Sequence, residues 1–174
     1  MDNFEQYSRR REREQEVQEK LLRDTKPEWV VLQGFTKTLA DELKGIDGFR
    51  FEWVSDPSAP RLVISAVAAT FLWRERPGKP IECRVRFDRK PLGSNQVWVD
   101  DRSPLEPVEW TLIPTVEGDE IKWMIAEVNA QLNRSMVFSS ADLASRIGIR
   151  LAEFLIAYSK HYEAWGKIPT QRLS

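Results

Sequence analysis

Cysteine and histidine are nearly absent from this sequence of 174 residues, which contains only Cys83 and His161. A single cysteine excludes a disulfide within the chain and a zinc site built from the cysteines of one chain. His161 falls near the end of the last predicted helix, where its charge interacts favourably with the helix dipole, so we assign it no ligand or general-base role. We therefore predict no metal and no cofactor, and the scarcity of cysteine fits a reducing compartment, as it would also fit a cysteine-poor secreted protein.

Motifs that carry chemistry are missing as well. The eight glycines are scattered through turns, and neither a dinucleotide-binding fingerprint nor a phosphate loop occurs. There is no Gly-x-Ser-x-Gly elbow for a nucleophilic serine. Cys83 faces inward beside Ile81 and Val85, and burial makes such a thiol unreactive. A carboxylate on a strand, such as Glu82, is more typical of a solvated sheet face than of a catalytic pair. These absences favour a protein that is not an enzyme.

The sequence also lacks a long hydrophobic run and a large excess of charge of one sign. Its longest apolar run, residues 62–73, is interrupted by Ser65 and Thr70 and is too short for a transmembrane helix. The first residues are polar, which predicts no secretory signal. The formal net charge is −1, so no overall field draws the protein to nucleic acid or to an acidic membrane. We expect a soluble cytoplasmic protein without a membrane partner.

Two helices are predicted before the first strand. Residues 2–23 are rich in Glu, Gln, Arg and Lys, which favour a helix, and their charges mix in sign. This helix is either solvated or docked on another chain, because its apolar residues are sparse. Those apolar residues are Phe4, Tyr7, Val17, Leu21 and Leu22. Thr25 and Glu28 have the spacing of a capping box, which predicts that a second helix begins there and ends near Gly45.

Five or six short strands follow these helices. The predicted strands cover residues 49–53, 62–74, 81–88, 96–100 and 108–113. Residues 81–88 alternate between apolar and polar side chains, which is typical of a half-buried antiparallel strand. Residues 62–74 are apolar on both faces, which predicts a single central strand. Residues 119–134 fit the spacing of a strand and of a helix, and we favour a strand followed by an irregular stretch.

The final helix completes an α+β fold. Ser139 and Asp142 form a second capping box, and Gly166 and Pro169 stop the helix. Its apolar stripe consists of Leu143, Ile147, Leu151, Phe154, Leu155 and Tyr158. Helices on either side of a run of strands predict an antiparallel sheet of five to six strands, packed by a long C-terminal helix, with two N-terminal helices. We expect residues 25–174 to form a single domain and residues 1–24 to form a charged helix that can protrude from it.

One region of the sequence is locally basic and aromatic. Between Arg61 and Arg102 there are nine basic and five acidic residues. Arginine beside exposed aromatic rings can hold anions or stack on bases, whereas the alternative is a solvated sheet face above core tryptophans. The candidate binding residues are Arg74, Arg84, Arg86, Trp98 and Trp110.

Three functions are compatible with these patterns. The first is a non-enzymatic protein-interaction or adaptor module, which contacts a protein partner or a second copy of itself. Its candidate interaction residues are Phe4, Tyr7, Val17 and Leu21. The second is a binder of small hydrophobic molecules, or an enzyme, with a pocket between the sheet and the C-terminal helix. The third is anion or nucleic-acid binding through the Arg/Trp residues, which the near-zero net charge disfavours.

Overall fold

The computed structural model describes residues 2–46, 48–91, 96–97, 105–127, 136–165 and 171–172. An antiparallel sheet lies between a long N-terminal helix and a C-terminal helix in the chain order, so the α+β class is confirmed. The helices are α1 Asn3–Leu43 and α2 Ser140–Trp165. The strands are β1 Phe51–Val54, β2 Arg61–Ile64, β3 Val67–Arg74, β4 Glu82–Arg89, β5 Gln96–Val97, β6 Val108–Glu117, β7 Glu120–Glu127 and β8 Gln171–Arg172.

Six of the strands form one sheet in the order β1-β2-β3-β4-β6-β7, and all neighbours in it are antiparallel. β5 pairs with β8 in a separate two-stranded ladder. Both helices cover the same face of the large sheet. Trp29 of α1 packs edge-on against Phe71 with ring centroids 5.5 Å apart, and the Arg150 guanidinium of α2 lies over the ring of Phe87. We call this side the covered face and the opposite side the outer face.

One continuous helix precedes the sheet, so the prediction of two N-terminal helices is wrong. The predicted boundary at residue 24 falls inside α1, which includes Pro27. The Thr25 side chain is buried, and Glu28 accepts a hydrogen bond from Ser140 of α2; neither residue caps a new helix. An internal proline costs a helix about 3 kcal/mol. Burial of Trp29 and its neighbours on the core, worth roughly 2 kcal/mol for each large side chain, offsets that cost.

The predicted single strand over residues 62–74 is also wrong, because it is a hairpin of β2 and β3. Ser65 turns the chain with a positive φ of 54°. The Ser65 N–H donates to the Arg50 carbonyl over 2.8 Å, and the Ser65 hydroxyl accepts from the Arg50 N–H over 3.3 Å. Tight hairpin turns usually place Asn or Gly at such a position. Neither residue type stands at this turn, so no local pattern predicts it.

β4, β7 and α2 follow the predicted patterns, whereas the pairing of β5 with β8 was not predicted. β4 buries Cys83, Val85 and Phe87 on the covered face. β7 shows that the ambiguous segment begins as a strand, whereas residues 128–135 lie outside the described residues. In α2, Ser139 accepts a hydrogen bond from the Asp142 N–H over 3.2 Å, and every residue of the predicted apolar stripe is buried. The predicted stop signals after Trp165 lie outside the described residues.

Candidate functional site

The N-terminal half of α1 is largely exposed, and it packs on the rest of the protein at its base, where Leu21 contacts the core cluster. We call residues 3–22 the arm. None of these residues is buried, and in α1 burial begins at Thr25, which is 2% exposed. At about 1.5 Å per residue the arm is about 30 Å long. Near its free end, Phe4 is 72% and Tyr7 is 62% exposed, so two large aromatic side chains are exposed to solvent on the part of α1 that the fold leaves uncovered.

Local contacts hold the exposed part of the arm in its helical conformation. The Asp2 side chain accepts a hydrogen bond from the Phe4 N–H over 3.5 Å and caps the helix. Arg10 Nε lies 3.3 Å from Glu14 Oε1, one turn further along. Such exposed pairs stabilise a helix by roughly 0.2–0.5 kcal/mol each, whereas most of the stability of helices in proteins comes from the packing of an amphipathic face. The arm would therefore be stabilised by a partner that covers one of its faces.

The face that α1 buries against the core continues along the arm. In α1 the buried residues Thr25, Trp29, Leu32 and Thr36 follow one another at steps of four, three and four. A further step of four back from Thr25 reaches Leu21, and from there steps of three and four alternate towards the N-terminus along what we call the seam. The seam residues are Phe4, Tyr7, Arg11, Glu14, Gln18 and Leu21. Residues at this spacing lie on one side of a helix, so the exposed aromatic side chains point the same way as the core residues of α1.

The four predicted interaction residues occupy related but unequal positions. Phe4, Tyr7 and Leu21 belong to the seam, and Leu21 packs against the core cluster. Val17 is 40% exposed and lies at the edge of the seam, one turn before Leu21. The structure thus brings these residues onto one side of the arm, and their role in binding stays a prediction.

An apolar cavity of about 390 Å³ lies where the arm meets the sheet. We call it the arm groove. Its apolar lining includes Leu21, Leu22, Ile81, Leu112, Ile113 and Pro114. The Thr25 hydroxyl on its wall is buried and has no hydrogen-bond partner among the described residues. Cys83 also lines it, and burial raises the pKa of that thiol to about 12, so it is protonated at neutral pH. This agrees with the prediction that Cys83 is inert.

A second, more polar cavity of about 420 Å³ opens beside the start of α2. There the Trp123 indole Nε1 donates to Ser140 Oγ over 3.0 Å, and the Ser140 hydroxyl donates to Glu28 Oε1 over 2.6 Å. Ser140 is only 3% exposed, and its hydroxyl is engaged on both sides. This chain of hydrogen bonds therefore connects β7, α2 and α1. Within the described ranges, no group of three or more potential metal-ligating side chains occurs.

The predicted Arg/Trp residues that the structure describes lie on two different faces of the sheet. Arg84 and Arg86 lie on the outer face, since their neighbours in β4 are buried on the covered face. Trp110 is 9% exposed and packs edge-on against Phe87 with ring centroids 4.9 Å apart, which places it on the covered face. Arg74 is exposed at the end of β3 and pairs in register with Glu82 on the outer face. Trp98 lies outside the described residues.

Carboxylates accompany the arginines of the outer face. Arg84 Nη1 lies 2.9 Å from Glu109 Oε1, and Arg84 Nη2 lies 3.2 Å from Glu82 Oε2. Although partial burial opposes it, the hydrogen bond from Arg76 and the charge of Arg84 hold the pKa of Glu82 below its usual value. Arg86 Nε lies 3.6 Å from Asp88 Oδ2. These pairs compensate much of the positive charge with which the outer face would attract an anion.

No protein-family model matches the chain, and neither a curated protein nor a solved structure shows significant similarity to it. Neither helix, as far as it is described, has an apolar run long enough to cross a bilayer. We therefore base the function on the arm, the arm groove and the two faces of the sheet.

Sequence patterns identified the arm but not the features around its base. Leu21 and Ile81 line the arm groove together although they are far apart in the sequence, and no local pattern predicts that they share a cavity. The link between Glu28 and Ser140 joins residues 112 positions apart. The spacing of Thr25 and Glu28 predicts a helix cap instead, because capping is the local use of that pattern.

Proposed function

We propose that the protein is a non-enzymatic interaction module that binds a protein partner through the arm. One observation carries this proposal: the arm extends the buried face of α1 into solvent and exposes Phe4 and Tyr7 on that side. Exposed apolar patches rimmed by polar residues mark protein-binding surfaces, and aromatic residues are enriched at interface centres. A cytoplasmic location belongs to the same proposal, and the single cysteine supports it.

The chemistry of the cavities supports binding more than catalysis. In the polar cavity, the Ser140 hydroxyl already donates to one group and accepts from another. In the arm groove, the Cys83 thiol is buried and protonated at neutral pH. Neither group has the exposed, activated geometry that a nucleophile requires.

Site-specific photo-cross-linking in native cells tests the proposal. A photoreactive amino acid is placed in the full chain at Phe4 or Tyr7, on the seam. Matched controls carry it at Arg9 or Glu16, which lie on the opposite side of the same helix. All four positions are exposed, so none of these variants disturbs the core.

We expect covalent protein adducts from the two seam positions and few or none from the controls. A partner that covers one side of the arm gives this contrast, whereas random collisions label both sides alike. Equal labelling at all four positions, or no adduct at any of them, would contradict the proposed function.

A binder of small hydrophobic molecules is the second candidate, and one cavity favours it. Between the end of α1 and α2 lies a groove of about 280 Å³ whose lining is almost entirely apolar. Its lining includes Leu39, Leu43, Phe51, Leu62, Ile149 and Ala152. Native mass spectrometry tests this function: a bound hydrophobic molecule adds mass that is lost on denaturation. A chain that carries no added mass and binds no apolar fluorescent probe would exclude it.

A further inference from the structure

We infer that the partner of the arm is a second copy of this chain, and that the two arms pair antiparallel with Arg11 of each opposite Glu14 of the other. This inference rests on the proposed function, because it names the partner that the arm binds. It is carried by the order and spacing of the seam residues and by the arm groove at their end.

The spacing of the seam is the same when it is followed from either end. Its six residues are separated by three, four, three, four and three positions. When two such helices are related by a twofold axis that passes between residues 12 and 13, each seam residue meets a seam residue of the other copy. Phe4 then faces Leu21, Tyr7 faces Gln18, and Arg11 faces Glu14. Because the interface is isologous, every one of these contacts occurs twice, and the assembly closes as a dimer.

The side chains that meet in this arrangement are complementary. The Phe4 ring meets the apolar Leu21, and the Tyr7 hydroxyl meets the Gln18 amide, which can both donate and accept. Arg11 meets Glu14 with opposite charge, and within the described residues Arg11 makes no ion pair of its own. A parallel pairing would instead place Arg11 against Arg11 and Glu14 against Glu14. Like charges in a paired seam are unfavourable, and they select the antiparallel orientation.

The arm groove accepts the end of the second arm. In the antiparallel register, Phe4 of the second copy arrives at Leu21, which forms part of the groove wall. The groove volume of about 390 Å³ and its apolar lining suit an aromatic ring. Lys79 is the charged residue of the groove lining, and the incoming helix end carries Asp2 and Glu5 beside Phe4. Both the charge and the shape of the arm groove therefore suit the incoming helix end, and this contact occurs at each end of the paired arms.

Charge reversal at the centre of the seam tests this pairing. Sedimentation velocity over a series of concentrations should show a wild-type dimer of twice 20.3 kDa. Arg11→Glu alone and Glu14→Arg alone each place like charges in contact twice, and each should weaken dimerisation by about tenfold or more. The double variant Arg11→Glu/Glu14→Arg restores opposite charges and should restore the dimer. An equimolar mixture of the two single variants should also associate.

Matched controls reverse charges on the opposite side of the arm. Arg9→Glu and Glu16→Arg change the net charge by the same amounts as the seam variants but lie away from the seam, so they should leave dimerisation unchanged. Loss of the dimer in these controls would show that net charge, not seam pairing, governs association. A double seam variant that fails to recover the dimer would likewise overturn the inferred register.

Engineered cysteines test the orientation. A Tyr7→Cys chain mixed with a Gln18→Cys chain should be joined by a short bifunctional thiol cross-linker. Each chain alone should give little product. A parallel pair would instead join Tyr7→Cys to itself. The native Cys83 is buried, so it does not compete for the reagent.

Failure of the inference is distinguishable from failure of the proposed function. A wild-type chain that stays monomeric at every concentration excludes the second copy as the partner. If the photoreactive chain then gives a seam-specific adduct with a different protein, the arm is still an interaction element and only its partner was misassigned. If it gives no seam-specific adduct either, both the inference and the proposed function are wrong.

Discussion

Replacing Ser140 by alanine should strongly destabilise the fold, because its hydroxyl connects three elements. Ser140 Oγ donates to Glu28 on α1 over 2.6 Å and accepts from the Trp123 indole on β7 over 3.0 Å. The alanine variant leaves the indole N–H without its partner in a side chain that is 0% exposed. A buried donor left unsatisfied costs about 1–3 kcal/mol, and a lost hydrogen bond to a partly solvated carboxylate adds about 1 kcal/mol.

We therefore expect Ser140→Ala to lower the free energy of unfolding by about 2–4 kcal/mol. Urea unfolding followed by tryptophan fluorescence and by circular dichroism measures the change. Ser145→Ala is the matched control in the same helix, because Ser145 is exposed and its hydroxyl lies 3.4 Å from the Ala141 carbonyl of its own helix. The control should change the free energy of unfolding by less than about 0.5 kcal/mol.

A double-mutant cycle separates the hydrogen bond from the loss of packing. In a Trp123→Phe background the indole N–H is gone, so Ser140→Ala should cost about 1–2 kcal/mol less than in the wild type. If Ser140→Ala is no more destabilising than Ser145→Ala, or if its cost is the same in both backgrounds, the chain from Trp123 through Ser140 to Glu28 does not stabilise the fold as described.

Two further predictions concern the core and the long helix. Cys83 should react with a thiol reagent only in unfolded chains. Burial raises the pKa of its thiol in the folded protein to about 12, above the pKa of an exposed thiol. The contribution of the buried thiol to stability is therefore present at neutral pH and is lost as the pH rises towards that value. Rapid labelling of the native protein would contradict this burial. Pro27→Ala should stabilise the protein by about 1–3 kcal/mol in urea unfolding, because it returns a backbone N–H to the interior of α1 at an exposed position. An unchanged or lower stability would show that α1 requires the proline.

Elements with one buried face could be predicted from the sequence. The alternation of Cys83, Val85 and Phe87 with arginines identified β4, since a half-buried strand needs that pattern. The spacing of Leu143, Ile147 and Leu151 identified α2 in the same way. In both elements the residues that pack on the core are those that the local pattern marks as apolar, so the pattern alone predicts the element.

The wrong predictions concern segments whose structure depends on tertiary contacts and not on local sequence patterns. Thr25 and Glu28 resemble a helix start, but one is buried in the core and the other bonds to Ser140. Ser65 makes a turn that its residue type does not predict, and two hydrogen bonds with Arg50 hold this turn. Physical contacts between distant segments decided both cases, and a single sequence does not contain those distances.

The candidate site divides in the same way. Phe4 and Tyr7 could be recognised as unburied aromatic residues on a polar helix, because their neighbours in the sequence are charged. The placement of Trp110 on the sheet face opposite to that of Arg84 could not be predicted, because it depends on the pairing of β4 with β6. Alternation assigns residues to opposite faces within one strand, but only the register between strands shows which residues share a face.

Photo-cross-linking from Tyr7 in native cells is the most direct test of the arm as a binding element. We expect an adduct from Tyr7, with a mass near twice 20.3 kDa, and no comparable adduct from Glu16 on the opposite side of the helix. Absence of any adduct from Tyr7, or equal adducts from Tyr7 and Glu16, would contradict a binding role for the arm.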